Sequence, residues 1–139
     1  MAHQYNHLLP AALRAINREF ASDTAIPREY QGYISSMGAS IRQMGLLPTL
    51  AIYADKESGS SEPRLRLMKV LQGVLGSDQS RLPQEIKKVV NDPSYQGGAL
   101  FHAAAQDLDD DDRKRLQLHL IEAAVAVKLA MRTFETTKR

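Results

Sequence analysis

Apolar residues that recur at every third or fourth position are the feature of this sequence that most restricts its fold. One such row consists of Tyr30, Ile34, Met37, Ile41 and Met44. Side chains at this spacing share one face of an α-helix, and that face must be buried against another element. Gly45 follows at the position where glycine commonly ends a helix, because it accepts a left-handed backbone. The pattern predicts a helix that ends in a sharp corner.

Other segments continue the helical pattern on both sides of this corner. A first helix is predicted from the row Leu9, Leu13, Ile16 and Phe20, with Pro10 near its start, where a missing N–H is tolerated. The stretch from Pro48 to Tyr53 is apolar on nearly every side, so we expect a short buried helix that buries both Leu50 and Ile52. Further helices are predicted after Pro63, over residues 83–90 and over residues 99–106.

The longest helix is predicted near the end of the chain, over residues 111–135. One apolar stripe is formed by Leu116, Leu120, Ala124, Val127, Met131 and Phe134, and a second by Leu118, Ile121, Val125 and Leu129. Two adjacent stripes predict a largely buried, central helix. Because no segment alternates with period two, the predicted fold is all-α. Residues 1–139 are expected to form one compact, single-domain bundle of about six to seven helices.

Composition excludes several classes of protein. The chain has 139 residues and no cysteine, which rules out disulfide frameworks, thiolate zinc sites and a cysteine nucleophile. Its first residues do not read as a signal peptide, and no apolar run is long enough to span a membrane. We therefore expect a cytoplasmic protein without membrane contact.

Acidic and histidine side chains give no recognisable catalytic or metal-binding motif. The run DLDDDD at residues 107–112 lacks the spacing of a calcium loop and is expected to cap the last helix. Among the histidines, His3 and His7 have an i,i+4 spacing but no acidic partner nearby, and His102 and His119 belong to no known motif. We expect no catalytic residues, no metal and no cofactor.

Charge is concentrated in the middle of the chain, although the whole molecule carries a formal net charge of only +2. Residues 64–88 contain six basic and two acidic side chains. A local basic surface is typical of proteins that bind phosphates, although exposed helix faces also commonly carry lysine and arginine. We predict a nucleic-acid-binding surface formed by Lys56, Arg64, Arg66, Lys69, Lys87 and Lys88.

The segment YISSMGASIRQMGLLPTLAIYADK resembles the signature of the small α-helical subunit of type III-B CRISPR effector complexes, the Cmr complexes. In that family a long helix ends at a Gly-Leu pair, which a short Thr-Leu-Ala-aromatic helix follows. Gly45, Leu46, Thr49, Leu50, Ala51 and Tyr53 match this pattern. The closing segment AAVAVKLAMRTFE is also similar to the last helix of the family.

The resemblance implies a noncatalytic structural subunit in antiviral defence. Such a subunit stacks with further copies of itself and with the large subunit in the inner filament, beside the backbone subunits. There it would help hold the target RNA strand along the crRNA duplex. The alternative is a free-standing helical protein that binds nucleic acid or regulates another process. A third alternative is a small hydrolase or nuclease that uses histidine or the aspartate run.

Overall fold

The computed structural model describes residues 6–21, 25–54, 61–91 and 104–134, and their regular structure is helical throughout. A short 3-10 turn (Asn6–Leu8) precedes the α-helices. The helices are α1 (Leu9–Glu19), α2 (Glu29–Met44), α3 (Leu46–Ala54), α4 (Ser61–Leu75), α5 (Gln84–Asn91), α6 (residues 104–106) and α7 (Asp110–Met131). The rest of the helix predicted over residues 99–106 lies outside the described residues. No β-strand occurs in these ranges. The predicted all-α bundle is confirmed.

Helix α7 lies at the centre of the bundle, where it packs against α1, α2, α3 and α4. Its first stripe is buried as predicted, from Leu116 and Leu120 to Val127 and Met131. The alanines Ala123, Ala126 and Ala130 are buried as well, and their small side chains let neighbouring helices approach closely. A long, largely buried C-terminal helix is therefore confirmed.

The corner after α2 has the predicted geometry. Gly45 has a φ of 90°, and its backbone N–H donates to the carbonyl of Ile41. The hydroxyl of the buried Thr49 donates to the Gly45 carbonyl at 2.9 Å. The backbone N–H of Leu46 donates to Oε1 of Gln117 on α7 at 3.1 Å. These bonds satisfy the free backbone groups of the corner and fix α3 against the central helix.

Four predicted core residues are exposed instead. The exposed fractions are 38% for Leu13, 45% for Met44, 38% for Ile52 and 65% for Leu118. On α1 the buried face is formed by Ala11, Ala12, Ala15 and Ile16. The burial of Ile52 was wrongly predicted, because one side of α3, which also includes Pro48 and Ala51, faces outward. The second stripe of α7 is half-buried at Ile121, Val125 and Leu129.

The aspartate run caps α7 as expected. Asp109 precedes the helix with an extended backbone, and its Oδ1 accepts the Asp112 N–H at 2.8 Å. Asp110, Asp111 and Asp112 occupy the first turn, where carboxylates interact favourably with the helix dipole.

The start of α4 differs from its prediction, because the helix begins at Ser61 and includes Pro63 in its first turn. Proline is tolerated there, since the N–H groups of the first turn have no partner within the helix.

Candidate nucleic-acid interface

The six residues predicted to bind nucleic acid have different environments. Lys56 lies outside the described residues. Arg64, Arg66 and Lys69 belong to α4, while Lys87 and Lys88 belong to α5. The structure brings α4 and α5 together, and the buried amide of Gln72 donates to the carbonyl of Val90 at 3.4 Å across their contact. The two helices that carry five of the predicted residues are therefore packed together.

Arg66 is held by contacts inside the protein. Its Nε lies 3.0 Å from Oε2 of Glu19 on α1, and its Nη2 donates to the Glu19 carbonyl at 3.0 Å. The guanidinium also lies 4.3 Å from the ring centroid of Phe20, within the range of a cation–π interaction. Arg66 therefore ties α4 to the end of α1 and has little capacity left for a phosphate.

Arg64 lies over two tyrosine rings. Its guanidinium carbon is 5.9 Å from the ring centroid of Tyr33 and 5.7 Å from that of Tyr53. The Tyr53 hydroxyl donates to the Tyr33 carbonyl at 2.6 Å, which joins α3 to α2. Burial raises the pKa of Tyr53 to about 12, against an opposing effect of Arg64. Tyr53 therefore keeps its proton at neutral pH, and Arg64 covers a packed junction.

The three lysines are more accessible. Lys69 and Lys88 are exposed and Lys87 is half-exposed, and none of them makes an ion pair with a described residue. On α5, burial of Ile86 and Val90 turns the lysines away from the core. Side chains of this kind can move to meet a phosphate without breaking an ion pair to a described residue.

A groove between α1, α4 and α5 adds two arginines that were not included in the sequence-based prediction. It is formed by two adjoining depressions that share Arg18, Gly73 and Asn91. Arg14 lines one of them and Lys69 the other. The i,i+4 spacing of Arg14 and Arg18 could have placed both on one face of α1. Only the packing of the helices shows that this face meets Lys69.

The remaining titratable cluster joins the start of α1 to α7. His119 Nδ1 lies 3.6 Å from Oε1 of Glu122, and His7, Arg81 and Leu118 line the same depression. Burial lowers the pKa of His119, while Glu122 acts in the opposite direction.

Among the described residues, no group of three or more histidine or acidic side chains is arranged to hold a metal ion. No helix among those residues has the length and apolarity needed to cross a membrane.

These features define a small all-α protein that carries exposed lysine side chains on α4 and α5. Residues 6–131 match the family described as CRISPR-associated protein (Cas_Cmr5), and the chain belongs to this family. It is therefore a subunit of a type III-B CRISPR effector complex, the Cmr complex, in which the family forms the small subunit. No curated protein and no solved structure matches the chain.

Proposed function

We propose that this protein is a noncatalytic structural subunit, a single helical domain over residues 1–139, that helps hold target RNA in the Cmr complex. In this proposal it stacks in the inner filament with further copies of itself and with the large subunit. Its basic surface then lies along the target strand, which is paired with the crRNA. Cleavage is carried out by other subunits.

The observation that carries the proposal is that two helices that pack together carry the exposed Lys69 and Lys88 and the half-exposed Lys87. Lysine contacts with phosphate give affinity without sequence preference, as a subunit that holds many different target strands requires. Each contact is weak alone, but stacked copies present the lysines repeatedly along one strand and so raise the overall affinity. Arg64 and Arg66 are less suited to direct contact with RNA phosphates, because both also make contacts inside the protein.

Reconstitution of the effector complex with and without this chain tests the holding role. We expect the complex without it to bind target RNA more weakly, with a shallower dependence of log affinity on log salt. Adding the purified chain back should restore both. Equal affinity and equal salt dependence with and without the chain would contradict the proposal.

The isolated chain distinguishes the alternatives. It should leave RNA and DNA intact with Mg²⁺ or Mn²⁺, and it should bind RNA only weakly. Cleavage that survives repurification and disappears in His102→Ala, His119→Ala or Asp111→Ala would contradict a noncatalytic role. Tight RNA binding by the isolated chain would instead favour a free-standing nucleic-acid-binding protein.

A further inference from the structure

The groove between α1, α4 and α5 has a shape that the exposed lysines alone do not provide. Its two depressions have volumes of about 330 Å³ and about 290 Å³, and Arg18, Gly73 and Asn91 line both of them. We call this pair of adjoining depressions, with Arg14, Arg18, Lys69, Gly73 and Asn91 as its defining residues, the α1–α4 groove.

Small residues keep the floor of the groove low. Ala11 and Ala15 of α1 face Gly73 of α4, and a Cβ placed on Gly73 would lie 3.4 Å from Cβ of Ala15. A methyl group would fit at that distance, but a longer side chain would project into the groove. At Gly76 even a Cβ would collide with the amide of Asn91. The open space therefore depends on Gly73, whereas at Gly76 the amide of Asn91 already occupies the position that a Cβ would take.

Positive charge dominates the walls. Arg14, Arg18 and Lys69 are exposed there, and Arg14 reaches across the groove to hydrogen-bond Gln79. Two carboxylates also line the groove, Asp78 and Glu19, but Glu19 is bound to Arg66. An anion in the groove would therefore meet three cations. Of the two carboxylates, only Asp78 is not bound to a described arginine.

Near the end of α4, two carbonyl oxygens accept hydrogen bonds from side chains. Asn91 Nδ2 donates to the Gly76 carbonyl at 3.3 Å, and the Ser77 hydroxyl donates to the Val74 carbonyl at 2.7 Å. Among the described residues, no aromatic side chain lines either depression, so these residues offer a base nothing to stack on. The chemistry fits a phosphodiester backbone rather than nucleobases.

We propose that the α1–α4 groove binds the phosphodiester backbone of a single RNA strand, with Arg14, Arg18 and Lys69 contacting successive phosphates. This inference rests on the proposed function, because it places the path of the held strand on the protein. It adds Arg14 and Arg18 to the contacts and makes Gly73 a shape determinant. The strand follows the groove from the Arg14 end, past Arg18, to the Lys69 end beside α5.

Two variants of the complete effector complex test the groove in independent ways. Arg14→Gln/Arg18→Gln removes charge at exposed positions, and Gly73→Leu fills the groove without changing charge. For the arginine pair we expect the Kd for a target RNA to rise at least about fivefold, with a salt slope shallower by about one per bound copy. Gly73→Leu should raise the Kd as well. The charge control is Arg42→Gln/Arg132→Gln, and the size control is Gly32→Leu, where a Cβ meets nothing within 4 Å.

Circular dichroism of each purified chain checks that the fold is kept. If Gly73→Leu does not fold, Arg14→Gln/Arg18→Gln alone tests whether the groove binds the strand. Unchanged affinity and salt slope in Arg14→Gln/Arg18→Gln would overturn the groove as the strand path. The proposed function would survive that result if omission of the chain still weakens target binding. If leaving the chain out of the complex also has no effect on target binding, both the groove and the proposed function are contradicted. Loss of affinity equal to that of the charge control would also overturn the groove, because it would reflect net charge alone.

Discussion

At the scale of single residues, neighbouring basic side chains have different roles. Arg66 and Lys69 are three positions apart on α4, yet Arg66 is bound to Glu19 and packed on Phe20, whereas Lys69 is exposed in the groove. The sequence places both in one basic segment, but the partner of Arg66 lies 47 residues away on α1. The packing of α1 on α4 leaves Lys69 accessible and Arg66 bound. The spacing of residues in the sequence does not show this difference.

Gly45 is a residue whose role could be predicted, because the requirement is local. A φ of 90° with an extended ψ is a backbone conformation that is open almost only to glycine. A Cβ on Gly45 would meet nothing within 4 Å, so the cost of a substitution is conformational rather than steric.

We therefore expect Gly45→Ala to lower the free energy of unfolding by about 1–3 kcal/mol, and the β-branched Gly45→Val by at least as much. Gly38 is the matched control, because it lies within α2 and also has open space around its Cβ position. Gly38→Ala should stabilise the protein by roughly 0.5–1 kcal/mol through helix propensity. Thermal and urea unfolding measure both, and a Gly45→Ala protein as stable as wild type would disprove the role of the corner.

At the scale of elements, helix order and most helix faces could be read from apolar spacing. The row from Tyr30 to Ile41 on α2 and the first stripe of α7 are buried because each lies on one helix face. Periodicity does not tell how much of an apolar surface the neighbours cover. On α1 the buried face is formed by three alanines and Ile16, and Leu13 remains exposed, as does Leu118 on α7, despite their spacing.

Helix α3 allows a direct test of this difference, because Leu50 and Ile52 are two positions apart on the same short helix. Leu50 is fully buried and Ile52 is exposed. We expect Leu50→Ala to cost about 2–5 kcal/mol of stability, since it leaves a cavity in the core. Ile52→Ala should cost less than about 1 kcal/mol, as surface substitutions commonly do. Equal losses in urea unfolding would show that the outward face of α3 is packed.

At the scale of the whole molecule, the bundle separates a packed interior from a basic side. Helices α1 and α4 supply Arg14, Arg18 and Lys69 to one groove, and α5, which packs on α4, carries Lys87 and Lys88, while the acidic run lies at the start of α7. The basic middle of the sequence predicted three of these five residues. The two arginines of α1 lie far from that segment in sequence, and only the contact of α1 with α4 brings them to the same side.

The central claim is that this basic side holds target RNA in the Cmr complex through its phosphates. The most direct measurement compares target binding by the reconstituted complex across several salt concentrations, with either the wild-type chain or Lys69→Gln/Lys87→Gln/Lys88→Gln. Arg42→Gln/Lys114→Gln/Arg132→Gln is the control, since it removes three exposed charges from α2 and from the region of α7.

The lysine variant should unfold like wild type and bind target RNA more weakly, to a similar extent for unrelated target sequences. Its plot of log affinity against log salt should be shallower by up to about two per bound copy, because a single strand loses about 0.7 for each phosphate contact removed. The control variant should change neither quantity by a comparable amount. A lysine variant that keeps both the affinity and the salt slope of wild type would contradict the account.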